Sequence, residues 1–194
     1  MDEMLYYRRN AKLANLCKKW DSKWAACHND KEKLVRLALQ QQSIPHLLTF
    51  AYQGKGLSKD FLVTEYKDYI NGRYTAIDVD GVEGDYKSEL YVGDDASFCL
   101  FSDVACFMDS NIPSVEIINC KATKLYCGCS SEVHIVCGGY NSITIMLFDD
   151  SKVFLEDIDE NSMVTIYKYS DICSVERGKY CLGKIKEFNK ELRI

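Results

Sequence analysis

Ser131-Glu132-Val133-His134-Ile135, Asn141-Ser142-Ile143-Thr144-Ile145, Asp150-Ser151-Lys152-Val153-Phe154-Leu155, Asn161-Ser162-Met163-Val164-Thr165-Ile166 and Asp171-Ile172-Cys173-Ser174-Val175 follow one another along the C-terminal half of the chain. Their lead apolar residues Val133, Ile143, Val153, Val164 and Val175 are 10, 10, 11 and 11 positions apart. Each unit is a short strand with apolar residues at period two, opened by Asn, Asp or Ser. Period two puts one set of side chains on one face. The polar opener hydrogen-bonds its own backbone and starts a tight bend. One such strand is too short to bury its face, so neighbours must share a core. Weaker copies lie upstream at Phe98/Leu100, Val104/Cys106, Val115/Ile117 and Leu125/Cys127.

The near-constant period points to a β-solenoid or β-roll of stacked short strands, with the five lead residues in one internal column. An antiparallel β-sandwich, which also spaces short strands at 8–12 residues, is the alternative. The hexapeptide pattern of β-helical acyltransferases and the GGxGxD calcium nonapeptide are both missing from the repeat.

Outward from the repeat, the N-terminal part reads as helices. Leu13, Leu16, Cys17, Trp20, Trp24 and Cys27 recur at steps of three and four, one amphipathic stripe over 10–28. Asn29 is positioned to cap a second helix, with Glu32 three residues on. Ser43 and Pro45 open a third, which Gly54 stops, and Ser58 caps a fourth that ends at Asn71-Gly72. The expected organisation is α+β: a helical bundle over 1–72, a connecting hairpin over 73–95, the β-repeat over 96–180, and a tail or cap over 181–194.

Charge divides along the same line. Residues 1–75 hold 13 Lys+Arg and 8 Asp+Glu, a balance of +5, while residues 76–194 hold 11 and 21, a balance of −10. A helix-turn-helix around Gly54-Lys55-Gly56 would need the fourth helix to meet phosphates with Asp60, Glu65 and Asp68, so the pattern argues against nucleic acid. No apolar run reaches transmembrane length, and the N-terminus, with Asp2 and Glu3, is not a signal peptide, which excludes a membrane role and points to the cytoplasm. Ten cysteines are then expected as reduced, buried thiols.

Three constellations invite chemistry. Cys120, Cys127, Cys129, His134 and Cys137 crowd soft donors into a short stretch, but their spacing fits no paired CxxC zinc arrangement, and Cys137 falls on the inward face. Asp78-Val79-Asp80-Gly81 resembles a calcium loop, yet its register puts Ala76 and Lys87 where oxygen ligands are required. With three histidines, a multi-histidine centre cannot be built. No acid, base and nucleophile converge, which points away from an enzyme and implies no cofactor.

Glu65–Tyr74 (EYKDYINGRY), Tyr86–Gly93 (YKSELYVG) and the following repeat resemble a group of uncharacterised bacterial proteins of the kind carried by prophages and other mobile elements. These pair a helical N-terminus with a C-terminal ladder of short strands. The likeness spans residues 15–175 and implies an accessory or structural mobile-element protein; it brings no functional residues with it. Two classes remain. The favoured one is a non-enzymatic interaction or structural protein, open to self-association, with an unidentified protein partner. Its expected surface is one acidic face, Asp149, Asp150, Glu156, Asp157, Asp159 and Glu160, edged by Tyr167 and Tyr169. The other class is a small metal protein or enzyme using the Cys120–Cys137 region.

Overall fold

Strands that cannot bury a face alone are wound here into a parallel coil. The computed structural model describes residues 3–13, 17–41, 44–70, 73–77, 87–118 and 122–191. They form two compact units, Met1–Gly72 and Arg73–Leu192.

The first unit is helical: α1 (Glu3–Leu13), α2 (Lys18–Ala26), α3 (Lys31–Gln41), α4 (Ile44–Tyr52) and α5 (Lys59–Ile70). The stripe read as one helix over 10–28 is cut. Cys17 is extended (φ −73, ψ 160) and opens α2. The break lets the chain fold back, so that Arg8 Nε meets Asp21 Oδ1 at 2.5 Å and Lys12 Nζ meets Oδ2 at 3.2 Å. The Arg8 hydrogen bond holds the Asp21 carboxyl down at about 2. At the start of α3 the cap is Asp30 rather than Asn29, its Oδ1 accepting the Lys33 N–H at 3.0 Å. Gly54, at φ +68, does end α4: Lys55 N–H reaches the Phe50 carbonyl at 2.8 Å and Gly54 N–H the Ala51 carbonyl at 3.2 Å, the paired bonds of a Schellman stop. Ser58 caps α5, its Oγ accepting the Phe61 N–H at 3.1 Å. Ser43 lies outside the described residues.

The second unit is a two-sheet β-solenoid, with twelve strands among the described residues. One sheet, called the first here, contains β1 (Arg73–Ile77), β2 (Lys87–Val92), β4 (Val104–Met108), β6 (Ala122–Gly128), β8 (Ser142–Leu147), β10 (Met163–Lys168) and β12 (Lys184–Asn189). The second contains β3 (Phe98–Cys99), β5 (Asn111–Ile118), β7 (Glu132–Gly138), β9 (Lys152–Ile158) and β11 (Ser174–Cys181). Apart from the antiparallel β1–β2 hairpin, every pairing is parallel, which excludes the antiparallel sandwich. The hairpin does more than connect, because β2 pairs with β4 as the first rung of the coil. The tail region likewise supplies β12, the last rung of the first sheet.

One turn of the coil holds two sequence repeats. Ser142 pairs with Met163 and Met163 with Lys184, 21 residues apart each time. The lead residues therefore form two opposed columns rather than one: Val133, Val153 and Val175 in the second sheet, Ile143 and Val164 in the first. Both columns enter one core with Leu125, Ile135, Leu147, Leu155, Ile158 and Ile166. Each fully buried Val or Ile contributes about 1.5–3 kcal/mol. In β4 the inward residues are Ala105 and Phe107, one step out of phase with the Val104/Cys106 reading. All five β4 residues are buried, so alternation there carries no phase.

Two corners use the expected local chemistry: Ser131 Oγ donates to the Gly128 carbonyl at 2.6 Å and Asn141 Nδ2 to the Gly138 carbonyl at 2.8 Å. Ser162 differs, its Oγ donating to the Gly139 carbonyl of the corner one turn away at 2.5 Å. Asp109 and Asp149 take φ of 49° and 50° at the corners leading into the second sheet, a conformation Asx residues tolerate.

One apolar column ends in charge on both sides. The first-sheet column runs Glu89, Ala105, Leu125, Ile145, Ile166, Glu187. At one end Tyr91 OH donates to Glu89 Oε2 at 2.6 Å, and Ser102 Oγ does so at 3.1 Å. At the other, Glu187 meets Lys168 Nζ at 2.9 Å and Arg177 Nη2, which extends the Leu155 column, at 2.5 Å. Burial pushes the Glu187 carboxyl up, but the hydrogen bonds from Lys168 and Arg177 outweigh it and hold it below its ordinary value. Among the described residues, no helix is long and apolar enough to cross a membrane.

Two stability outcomes follow from this core. Val153→Asp places an unpaired charge inside the ladder and is expected to unfold the solenoid, at a cost of several kcal/mol; a cooperative melt near the wild-type temperature would contradict the assignment. Thr123 points inward beside Ile143 at 1% exposure, its hydroxyl without a partner. Thr123→Val is expected to stabilise by about 1 kcal/mol in denaturant titration, and a loss of that size would show that the hydroxyl is satisfied.

Candidate interaction faces of the solenoid

A strand that sends alternate side chains inward must send the rest out, so each sheet has an outer face fixed by parity. On the second sheet this face carries Glu116 from β5, Glu132 from β7, Glu156 and Asp157 from β9 and Glu176 from β11, with Lys152 among them. Glu156 and Asp157 both point out because β9 carries an extra residue relative to β7 at that step. Next to them, Gly178 packs so closely that a Cβ would sit 2.5 Å from the Glu156 carbonyl oxygen. At the centre the His134 ring stacks on Phe154, centroids 4.3 Å apart. His134 Nδ1 lies 2.6 Å from Glu156 Oε1. A carboxylate only accepts, so Nδ1 carries the proton.

The outer face of the first sheet is different in kind. From β6 to β12 it presents the column Tyr126, Met146, Tyr167, Phe188 and, beside it, Lys124, Thr144, Thr165, Lys186. Tyr167 stacks on Phe188 at 5.6 Å, and Phe148 on Tyr169 at 5.0 Å. Lys184 points the same way from β12, and Lys190 Nζ lies 5.4 Å from the Tyr167 ring centre. Among the described residues of these four strands, this face has no carboxylate.

The expected acidic face edged with tyrosine is therefore not assembled. Glu156 and Asp157 lie on the outer face of the second sheet, and Tyr167 on that of the first. Tyr169 follows β10 and packs on Phe148. Asp149 and Asp150 occupy the corner between β8 and β9, where Ser130 Oγ donates to Asp150 Oδ1 at 2.8 Å. Asp159 and Glu160 occupy the corner between β9 and β10; the Asn161 N–H, 2.8 Å from Asp159 Oδ1, holds that carboxyl below its ordinary value. The reason is the two-repeat turn, which sends residues ten apart to opposite sides of the coil. The lysine–aromatic face escaped the sequence reading for the same reason, its members being about 20 residues apart.

The soft donors diverge as well. Cys127 points inward from β6 and Cys137 inward from β7, while His134 points outward and Cys129 sits in a corner at φ 52°. Cys120 lies outside the described residues. Among the described residues, no group of three or more His, Cys, Asp or Glu is placed to hold a metal ion. Burial pushes the Cys106 and Cys127 thiols far up, and the Cys137 thiol up, against hydrogen bonding that includes Ser162 Oγ at 3.2 Å.

Accessible thiolate governs reactivity. An alkylating reagent at mildly alkaline pH is expected to label exposed Cys17 first and to reach Cys106 and Cys127 only in denaturant, as read by peptide mapping. Equal labelling of all three in the native protein would contradict the core described above. No family model matches the chain, and no curated protein or solved structure does either.

Proposed function

We propose that the protein is a non-enzymatic interaction protein whose acidic outer face recognises a basic protein surface. The observation that carries this reading is the gathering of Glu116, Glu132, Glu156, Asp157 and Glu176 around Phe154, Val136 and Tyr180, the last 61% exposed. A partly apolar centre with a charged rim is the composition of a docking surface. Parallel rungs hold it flat without a partner, so little ordering entropy opposes binding. The same carboxylates repel phosphate backbones and anionic membranes. The deeply buried thiols of Cys106, Cys127 and Cys137 suit a reducing cytoplasm as the setting. The likeness to prophage-type proteins supports an accessory role within a mobile element.

The test uses the full chain as bait beside Glu156→Lys/Asp157→Lys/Glu176→Lys. Three rim pairs at about 0.5 kcal/mol each amount to roughly a tenfold weaker association. The expected outcome is release of the basic partner at moderate salt, with a nearly unchanged melting temperature because all three side chains point to solvent. Capture that is indifferent to the triple reversal would overturn the reading.

A further inference from the structure

The lysine–aromatic face of the first sheet is left over by the function proposed above. Edge protection explains part of it, since lysines on a terminal strand such as β12 discourage strand addition. It does not explain Lys124, which stands on β6 with β4 and β8 hydrogen-bonded on either side. Nor does it explain why the outer positions of β6, β8, β10 and β12 hold lysines and no carboxylate while those of β5, β7, β9 and β11 gather five.

We infer that this face docks on the acidic face of a second copy of the chain, so that the partner recognised by the acidic face includes the protein itself. The inference rests on the reading of the acidic face given above. Complementarity is the first argument. Lys124, Lys184 and Lys186 would meet Glu132, Glu156 and Asp157, and the apolar centre around Met146 and Tyr167 would meet Phe154. Geometry is the second. Both faces are built from parallel rungs about 4.8 Å apart, so two copies match rung for rung along the coil. Size sets the strength: four rungs of about six residues at 3.3 Å give a footprint of roughly 400 Å². That is well under the ~800 Å² per partner of a stable complex, so the association is weak, concentration-dependent and decided by charge. The two faces are different surfaces of one molecule, which makes the contact heterologous and extendable beyond a dimer.

Analytical ultracentrifugation of the full chain tests this. In low salt the weight-average mass is expected to rise with concentration above the 22.2 kDa monomer. It is expected to return to that value near 1 M salt, where the screening length falls to about 3 Å. Lys124→Glu/Lys184→Glu/Lys186→Glu leaves both outer faces acidic, and Glu132→Lys/Glu156→Lys/Asp157→Lys leaves both basic. Each variant alone is expected to stay monomeric, and an equimolar mixture to assemble. All of these positions point outward, and thermal melts confirm that both variants are folded. A wild-type chain that is monomeric at every concentration and salt overturns the inference, as does a lysine variant that assembles like wild type. If that monomeric chain instead binds a single-stranded oligonucleotide through the three lysines, the face is a polyanion site and self-docking is excluded. Loss of a foreign basic partner on acidic-face reversal, with a monomeric wild type, would sink this inference and leave the proposed function standing.

Discussion

Everything in the C-terminal unit depends on parallel hydrogen bonding between rungs one full turn apart. A strand of six or seven residues with three inward side chains cannot stand alone in water. Pairing Ser142 with Met163 and Met163 with Lys184 stacks those side chains into continuous columns, and the opposite sheet closes the core. The corners make this repeatable. Buried Ser131 satisfies its hydroxyl on the Gly128 carbonyl of its own corner and Ser162 on the Gly139 carbonyl one turn away, while backbone N–H groups at the corners bond the neighbouring rung. The Lys152 N–H, for example, reaches the Ser131 carbonyl at 2.8 Å.

A column of this kind has no intrinsic end, and an apolar end would invite another molecule to extend it. In one column of the first sheet the chain solves this with inward charges. Glu89 takes the inward place before Ala105, and Glu187 the one after Ile166. Neither charge is left alone: Tyr91 and Ser102 donate to the first, Lys168 and Arg177 to the second. Partners of this kind make the buried Glu89 tolerable, and at the exposed end Glu187 and Arg177 give the last rungs a polar surface.

How much of this was legible in sequence depends on what each residue's signal measures. Val133, Ile143, Val153 and Val164 announced short strands because alternation and Asx-Ser openers are local properties. Whether they formed one column or two was not local. A period of 10–11 says where strands start, and only the pairing Val133–Val153 and Ile143–Val164 reveals that consecutive strands belong to different sheets. The phase of β4 was lost because Val104 through Met108 are buried on both faces. The single stripe over 10–28 hid a break, since an amphipathic pattern cannot report that Arg8 and Lys12 will fold back onto Asp21. The charged column ends were invisible for a related reason: Glu89 and Arg177 look like surface residues until their rung neighbours are known.

The same ambiguity bears on function. Read along the chain, Glu156, Asp157, Tyr167 and Tyr169 are neighbours and suggest one mixed surface. Coiled at two repeats per turn, they separate, and residues from distant rungs come together in their place. Lys124 shares a column with Lys186, and Glu132 comes beside Lys152 as Asp157 comes beside Val136, by registers the primary sequence does not display. A net charge of −5 thus conceals two flat faces of opposite sign, one on each sheet of one rigid coil. Separating charge in this way costs little folding stability, because exposed charges interact weakly across the breadth of the coil. It strongly shapes which surfaces attract one another.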